Sequence, residues 1–382
     1  MNYQAHYRHK SHSKQEIFLI LFFSCCSLLL YFIPTGFEER IQKNAVRCRG
    51  RVIAVDNSDI LQTGIVKQGV QALTVKLLDG PYAGTEVSAT NQVLGKLEID
   101  KMFGEGDIAL MVLSLKDGEL YFANAQDHYR LHTEFYLLLC FATLLVIFAG
   151  LTGLKALLSF LFTALMIWKV MIPLFLKNID PIFVSLGVVT ILTAAIIFLV
   201  GGLTKRGIVS FLGSLLGILL TMFMAIIFSK GFYLHGAIRP FSETLLYSGF
   251  PHLDLTRLFL AGIFIASSGA VMDLSMDVAS GMHELVLRKP DIHFMDALRA
   301  GFGIGRPVVG TMTTTLLLAY SGGYMALLMV FMAQGVPVAN LLNLNYVAAE
   351  ILNTIVGSFG LVSVAPFTAL VGALIYTKTT HI

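Results

Sequence analysis

Long uncharged hydrophobic runs alternate with short polar segments along most of this chain. The first run covers residues 17–33 and is closed by Pro34. Each run is close to the roughly 17–25 residues that a helix needs to cross a bilayer, so the pattern predicts about eight transmembrane helices. The seven later spans are predicted at residues 135–154, 156–176, 182–202, 208–229, 258–280, 308–333 and 346–376.

Two of these spans are interrupted. Ser321-Gly322-Gly323 falls inside one, and Pro366 falls inside the other, which is also longer than a bilayer requires. Non-helical backbone at membrane depth is tolerated where protein or a cavity covers it. The sequence leaves open whether these two helices are continuous, broken or re-entrant.

A polar segment, residues 35–133, separates the first hydrophobic run from the others. It contains short alternating runs at residues 72–78, 108–115 and 120–123. Asp117-Gly118 between two such runs is a hairpin signal, and Asp79-Gly80-Pro81 followed by Gly84 is a second turn signal. The segment is therefore predicted to form a small all-β domain, a barrel or sandwich of about 80 residues.

Five regions follow from this pattern. They are an N-terminal segment 1–16, an anchor helix 17–34, the β domain 35–133, a multi-helix membrane domain 135–376 and a C-terminal segment 377–382. The first helix follows basic residues, as a secretory signal does. Its length and the lack of a small-residue cleavage site favour an uncleaved anchor.

Composition supports the membrane class and excludes others. Hydrophobic residues make up 56% of the chain and charged residues 13%, with a mean hydropathy of +0.75. Globular domains carry roughly 25% charged residues. A net charge of +3 gives no reason to expect a nucleic-acid partner. The partner that the sequence does predict is the lipid bilayer, and the oligomeric state is left open.

The distribution of Lys and Arg between short loops predicts the orientation. With the N-terminus inside, eleven basic residues fall on the cytoplasmic side and four on the other. Both termini are therefore expected in the cytoplasm and residues 35–133 outside. The outer four are Lys177, Lys230, Arg239 and Arg257.

Asp273 and Asp277 are the most informative polar residues inside the membrane. They are four residues apart and so share one helical face, which also carries Ala266 and Gly269. Membrane acids usually face protein or water, so the pair is a candidate proton or cation relay, or a gate. The alternative is structural: Asp277 pairs with Arg306 at the inner mouth of the next span.

Further candidates are weaker. Lys169 is either part of a pathway or a side chain that reaches the interface. Glu350, near the outer end of the last span, is either solvated there or part of the same pathway. Thr311 and Thr314 belong to a threonine cluster after Arg306, although threonines often bond to their own helix carbonyls.

The sequence contains no complete catalytic or cofactor-binding motif. His283-Glu284 begins a zinc-protease pattern, but residue 287 is Leu. Glycines 301, 303 and 305 resemble a phosphate loop without its strand or its Lys-Ser/Thr, and a flexible start of a helix explains them better. Gly213 and Gly217 are a helix-packing motif. No C-x-x-C pair for a metal or redox couple exists, and no nucleophile–base pair has a recognisable spacing. An intramembrane aspartyl protease is the enzymatic alternative, but its two Asp residues usually come from different helices, whereas both lie on one here. Neither enzyme activity nor a cofactor or metal site is predicted.

Several stretches resemble the YibE/F-like bacterial membrane proteins. They are ASSGAVMDLSMD at 266–277, GIGR at 303–306, GTMTTT at 310–315, EILN at 350–353 and VGSFGL at 356–361, with further likeness in the outer segment. The resemblance implies a protein of the bacterial cytoplasmic membrane and brings no established substrate. A weaker similarity, to the SecD/SecF membrane subunits of the RND superfamily, would place Asp273 and Arg306 in a proton-relay region.

The function expected from these features is a transporter or export-type permease with proton or ion coupling, whose substrate is a small molecule or ion. The alternative is a non-transporting membrane factor whose outer β domain binds an envelope partner. A water-accessible polar cavity near the midplane would favour the first. A sealed salt bridge at Asp273 would favour the second.

Overall fold

The computed structural model describes residues 2–40, 45–116 and 118–377, with side chains from Lys14 onward. The chain divides into two compact units, Met1–Thr35 with Ala149–Ile382, and Gly36–Phe148. The first unit is a bundle of apolar helices, and the second contains a β-sheet domain after the first helix. The predicted fold class, a polytopic α-helical membrane protein with a small β domain, is confirmed.

The helices are long because the hydrophobic runs that form them are long. In chain order they are α1 (Asn2–Phe32), α2 (Leu131–Met166), α3 (Ile172–Leu176), α4 (Pro181–Gly201), α5 (Lys205–Gly231), α6 (Ser242–Tyr247), α7 (Leu255–Arg288), α8 (Phe294–Gly322), α9 (Met325–Ala333), α10 (Val338–Asn343) and α11 (Asn345–Thr377).

The number of candidate membrane spans among the described residues is six, or seven if a bent pair counts as one span. The sequence predicted eight; residues 131–176 form one span where two were predicted, and the bent pair α8–α9 accounts for the difference between six and seven. The predicted loop at Lys155 does not form: α2 runs through it, and one π-helical turn, Ile167–Met171, joins α2 to α3. The helix is instead interrupted at Gly150, whose φ of 56° departs from helical geometry.

Lys155 explains why the helix continues at this position. Its side chain is buried, and its Nζ lies 3.0 Å from Glu16 Oε2 of α1. A lysine held in this way does not need a polar loop. The 46-residue stretch contains more residues than the roughly 17–25 that a single crossing of the bilayer requires.

The two spans that are interrupted in the sequence differ in structure. Helices α8 and α9 are bent by 67° at a short break. This break coincides with Gly322-Gly323, as the interruption in the sequence suggested. Helix α11, by contrast, continues through Pro366 for 33 residues.

Small side chains hold α5, α7 and α11 together. A Cβ atom on Gly213 would lie 2.1 Å from Thr368 Oγ1, and one on Gly360 would lie 1.9 Å from Thr221 Oγ1. Ser275 donates a hydrogen bond to the Ser210 carbonyl oxygen. Such contacts let membrane helices approach closely. The prediction that Gly213 belongs to a packing face is confirmed.

Two glycines of the phosphate-loop-like stretch lie in the interior of α8 and not at its start. A Cβ on Gly301 would lie 2.7 Å from Ala369 Cβ, and one on Gly305 would lie 2.8 Å from Ala365 Cβ. The expectation of a flexible helix start was therefore wrong. These glycines allow α8 to pack against α11.

The β unit is a closed barrel. Its strands are β1 (Ala45–Asp56), β2 (Ile60–Thr63), β3 (Val66–Leu77), β4 (Glu86–Leu94), β5 (Ile108–Lys116) and β6 (Glu119–His128). The sheet order is β1-β5-β6-β4-β3-β2, and an extra β1–β3 pairing closes a five-stranded ring. The β4–β6 pair is parallel and the other pairs are antiparallel. This is the arrangement of a five-stranded Greek-key barrel of the OB type.

Both predicted turns are present. Lys116 of β5 pairs with Glu119 of β6, so a hairpin joins these strands where the sequence predicted one, and Asp117 itself lies outside the described residues. Gly80 and Gly84, with φ of 81° and 87°, form the turn between β3 and β4. Positive φ is accessible to glycine at little cost, which is why glycine occurs at these positions.

The turn after β3 is fastened to β1 by Asp79. Its carboxylate accepts hydrogen bonds from the Arg49 backbone N–H at 2.6 Å and from Arg49 Nε at 2.7 Å. These bonds hold the pKa of Asp79 below its usual range. Cys48, next to Arg49, lies in the barrel core, where burial raises the pKa of its thiol.

Candidate functional site

Asp273 and Asp277 lie near the middle of α7 on its exposed face. Their neighbours on either side along the chain are buried in the bundle: Met272, Leu274 and Val278 pack inward. Within the described part of the chain neither carboxylate has a hydrogen-bond or ion-pair partner. The predicted shared face is therefore present, but it points away from the core of this bundle.

An aspartate in contact with lipid is costly. Insertion scales give about 2.5–3.5 kcal/mol for one aspartate at the helix centre, or roughly 5–7 kcal/mol for two independent ones. A bundle that left this face in hydrocarbon would lose a large part of its stability. The physical expectation is that water, another polypeptide or an ion covers the two acids in the membrane.

Arg306, Thr311 and Thr314 lie on the exposed side of α8. Thr311 Oγ1 donates to the Val308 carbonyl oxygen of its own helix, as the structural alternative predicted. Among the described residues Arg306 forms no ion pair, and the predicted pair with Asp277 is absent within this chain.

Lys169 does not join the other candidates. Its Nζ donates a 2.9 Å hydrogen bond to the carbonyl oxygen of Ile33, at the end of α1. A cation at this position satisfies a free carbonyl and stabilises the negative end of the helix dipole. The contact gives Lys169 a structural role in joining α1 to the π-helical turn.

Glu350 lies in a cluster of charged, amide and aromatic side chains within the helical bundle. It is on the first turns of α11 and is buried, with 9% of its surface exposed. Its Oε2 lies 3.5 Å from Nη2 of Arg239, which belongs to the segment between α5 and α6. This distance is within range for an ion pair but long for a hydrogen bond, and no described group donates to Oε2.

Aromatic and amide groups complete the site. Arg239 Nη1 donates to Tyr324 Oη at the bend between α8 and α9. The guanidinium carbon lies 5.5 Å from the ring centroid of Phe259 and 5.7 Å from that of Tyr324, within cation–π range. The amide of Asn353 lies 3.5 Å from Glu350 Oε1, and the buried hydroxyl of Tyr320 has no partner among the described residues.

Two cavities adjoin this cluster. One, of about 280 Å³, is lined by Arg239, other residues of the segment before α7, and the first turns of α7. The other, of about 250 Å³, lies between α8, α9 and α11 and is lined by Tyr324 and Glu350. Since Arg239 contacts both Tyr324 and Glu350, the ion pair connects the walls of the two cavities.

The sequence singled out Glu350 as a candidate, and Asn353 lies one turn deeper in the same EILN stretch. Arg239 was counted only as a loop charge, and Tyr320 and Tyr324 were not singled out. A pair of tyrosines flanking Ser321-Gly322-Gly323 was the available signal, because an aromatic hydroxyl beside a helix break can meet freed polar groups. Among the described residues no group of three His, Cys, Asp or Glu side chains could hold a metal ion.

The family assignment follows from residues 137–378. This region contains both the α7–α8 face and the Arg239–Glu350 site, and it matches the family model described as YibE/F-like protein. The chain belongs to the YibE/F-like family. The match covers more than half of the chain and begins after the barrel, so the expected likeness of the outer segment lies outside it.

Other comparisons add no relative to this YibE/F-like protein. Neither a curated protein nor a solved structure matches the chain. The expected weaker similarity to SecD/SecF finds no support.

Proposed function

We propose that this multi-pass membrane protein is a transporter or export-type permease that couples movement of a small solute to a flux of protons or ions. The observation that carries the proposal is the contact between Arg239 and Glu350, which connects the walls of two cavities. In this role the contact is a gate: closed while the ion pair holds, open when it separates.

The chemistry of the pair suits a gate. A buried carboxylate is stabilised by its cation, and removing either charge weakens the contact. Uptake of a proton or a cation by Glu350 would release Arg239. Arg239 also binds Tyr324 at the bend between α8 and α9, so its release would free this 67° bend.

Asp273 provides a second titratable group in the same proposal. It lies near the midpoint of α7, whereas Glu350 lies near the beginning of α11. With both termini in the cytoplasm, Glu350 belongs to the outer half and Asp273 to the middle of the membrane. Because Asp273 faces away from the bundle core, an ion that enters at Glu350 would reach it only at the exposed face of α7.

The test compares cells that lack the protein with cells that carry the native chain, Glu350→Gln or Asp273→Asn. Metabolite and metal-ion contents measured by mass spectrometry identify the solute that changes. Both variants are expected to reproduce the contents of the deletion strain while inserting normally, because the amides keep the shape but cannot change charge. Glu243→Gln, an exposed acid on α6, is the matched control and should behave as the native chain.

If Glu350→Gln cells had the same metabolite and metal-ion contents as cells with the native chain, the gate would be refuted. The same result for Asp273→Asn cells would refute coupling at that residue. Identical contents in the deletion and native strains across growth conditions would reject transport.

A second candidate function is partner binding by the barrel. Leu61 and Ile65, in and after β2, are 76% and 78% exposed, and Tyr121 on β6 is 75% exposed. Contiguous exposed apolar patches often mark interaction surfaces, and Leu61 and Ile65 lie close together at the β2–β3 hairpin. Under this alternative, Leu61→Ser with Ile65→Ser would remove the phenotype and Glu350→Gln would not.

A further inference from the structure

The exposed faces of α7 and α8 carry two strips of small and charged residues. The α7 strip consists of Gly262, Ala266, Gly269, Asp273 and Asp277, and the α8 strip of Arg299, Gly303, Arg306, Gly310 and Thr314. All ten residues are exposed. The first strip contains only acidic charges and the second only basic ones.

The glycines of the strips differ from those in the core of the bundle. A Cβ added to Gly262, Gly269, Gly303 or Gly310 would meet nothing within 4 Å. Gly213, Gly301 and Gly305, by contrast, are each in close contact with a neighbouring helix. The strips thus have the composition of a helix contact, and no helix covers them in the part of the chain that the structure describes.

The charged residues of the two strips lie at matching levels along the bundle. Gly281 of α7 packs on Ile304 of α8, and Val278 packs next to Gly305. Since the two helices are consecutive and run in opposite directions, Asp277 lies at about the level of Arg306. By the same count Asp273 lies at about the level of Thr311 and Thr314.

We propose that a second copy of this chain covers these strips, so that the protein is a homodimer in which Asp277 of each copy pairs with Arg306 of the other. A two-fold axis perpendicular to the membrane keeps every residue at its own level and brings one surface against itself. The acidic strip of one copy then meets the basic strip of the other. The arrangement also gives an ion-pair partner to Asp277 and to Arg306, neither of which has one among the described residues of its own chain.

Charge complementarity favours a second copy over other occupants. A lipid headgroup lies at the membrane surface, whereas Asp273 is near the middle of α7. A single unrelated helix would have to supply both basic and acidic groups at the right levels. The chain itself already carries both sets.

Cysteine crosslinking between two differently tagged chains tests the contact directly. Both chains have Ala in place of Cys25, Cys26, Cys48 and Cys140; one carries Asp277→Cys and the other Arg306→Cys. Oxidation in native membranes should give a disulfide-linked heterodimer as the main product. The matched control replaces Arg306→Cys with Phe223→Cys, an exposed position on α5, and should give little dimer.

Charge exchange separates a contact between chains from one within a chain. Asp277→Arg alone and Arg306→Asp alone should each weaken self-association roughly tenfold or more, the scale expected when contacting residues are coupled. Expressed together, the two single variants should form heterodimers preferentially, because both interfacial pairs are then restored. An intramolecular pair would be restored only when both changes are in one chain.

Single-molecule photobleaching of the fluorescently tagged native chain in liposomes measures the stoichiometry independently, and circular dichroism checks that each variant is folded. Two bleaching steps and preferential heterodimers support the proposal. One bleaching step, equal crosslinking in the control, or rescue only by the double variant in one chain would overturn it. None of these measurements depends on transport activity, so failure of the dimer leaves the gate proposal standing.

Discussion

The two partners of the buried ion pair are unequally exposed, and this predicts an unequal response to mutation. The side chain of Glu350 is 12% exposed and that of Arg239 is 39% exposed. Arg239→Gln therefore leaves a carboxylate that cannot hydrate, whereas Glu350→Gln leaves a guanidinium that can. Arg239 also keeps its contacts with Tyr324 and Phe259.

The expected magnitudes follow from burial. Breaking a fully buried pair by removing one partner costs about 3–5 kcal/mol, and an exposed pair contributes roughly 0–1 kcal/mol. We expect Arg239→Gln to lower the free energy of unfolding by about 2–4 kcal/mol. For Glu350→Gln we expect about 1–2 kcal/mol, since solvent screens the remaining charge. The double variant should lose less than the sum of the two.

Unfolding of the purified protein in detergent, followed by circular dichroism against denaturant concentration, measures these losses as a double-mutant cycle. Arg239→Lys is the control, since it keeps the positive charge but loses the planar contacts with both aromatic rings. Strictly additive losses would refute a direct contact. A larger loss for Glu350→Gln than for Arg239→Gln would refute the argument from burial.

Three further predictions concern packing and the barrel. Gly213→Ala should destabilise the bundle by about 1–3 kcal/mol by overpacking. The control, Gly231→Ala, should not, because its Cβ meets no described atom within 4 Å. Thermal unfolding compares the two variants, and equal melting temperatures would contradict the packing role of Gly213. Asp79→Asn should speed hydrogen exchange at the turn after β3. Arg49 lowers the pKa of Asp79, so the ionised carboxylate stabilises the native turn above the usual carboxyl pKa. This protection is lost as the pH falls through the lowered pKa. An unchanged exchange profile at low pH would contradict this. Cys48 should resist maleimide until the protein is denatured, because it is 5% exposed and burial raises the pKa of its thiol; mass spectrometry would detect early modification, which would argue against a buried thiol.

Local features could be predicted because their causes are local. The uncharged runs became helices, since a chain in lipid must satisfy its own backbone hydrogen bonds. The hairpin between β5 and β6 formed between alternating runs, because a tight turn joins adjacent antiparallel strands. The packing role of Gly213 was also evident from its spacing to Gly217.

Other features were decided by tertiary structure. The sequence predicted a loop at Lys155, but a partner on α1, Glu16, made a helix acceptable there. The shared face of Asp273 and Asp277 followed from their spacing, yet periodicity could not tell whether that face points into the bundle or away from it. Only the packing of α7 against α4, α5, α8 and α11 determined this.

The Arg239–Glu350 contact is the clearest feature that the sequence alone could not predict. One residue lies in a segment between helices and the other at the beginning of the last helix, so nothing in their local sequences relates them. Hydrophobicity and turn chemistry act over a few residues and can be read along the chain. The meeting of two distant charges depends on how whole helices pack, and the energy of that contact exists only after they have packed.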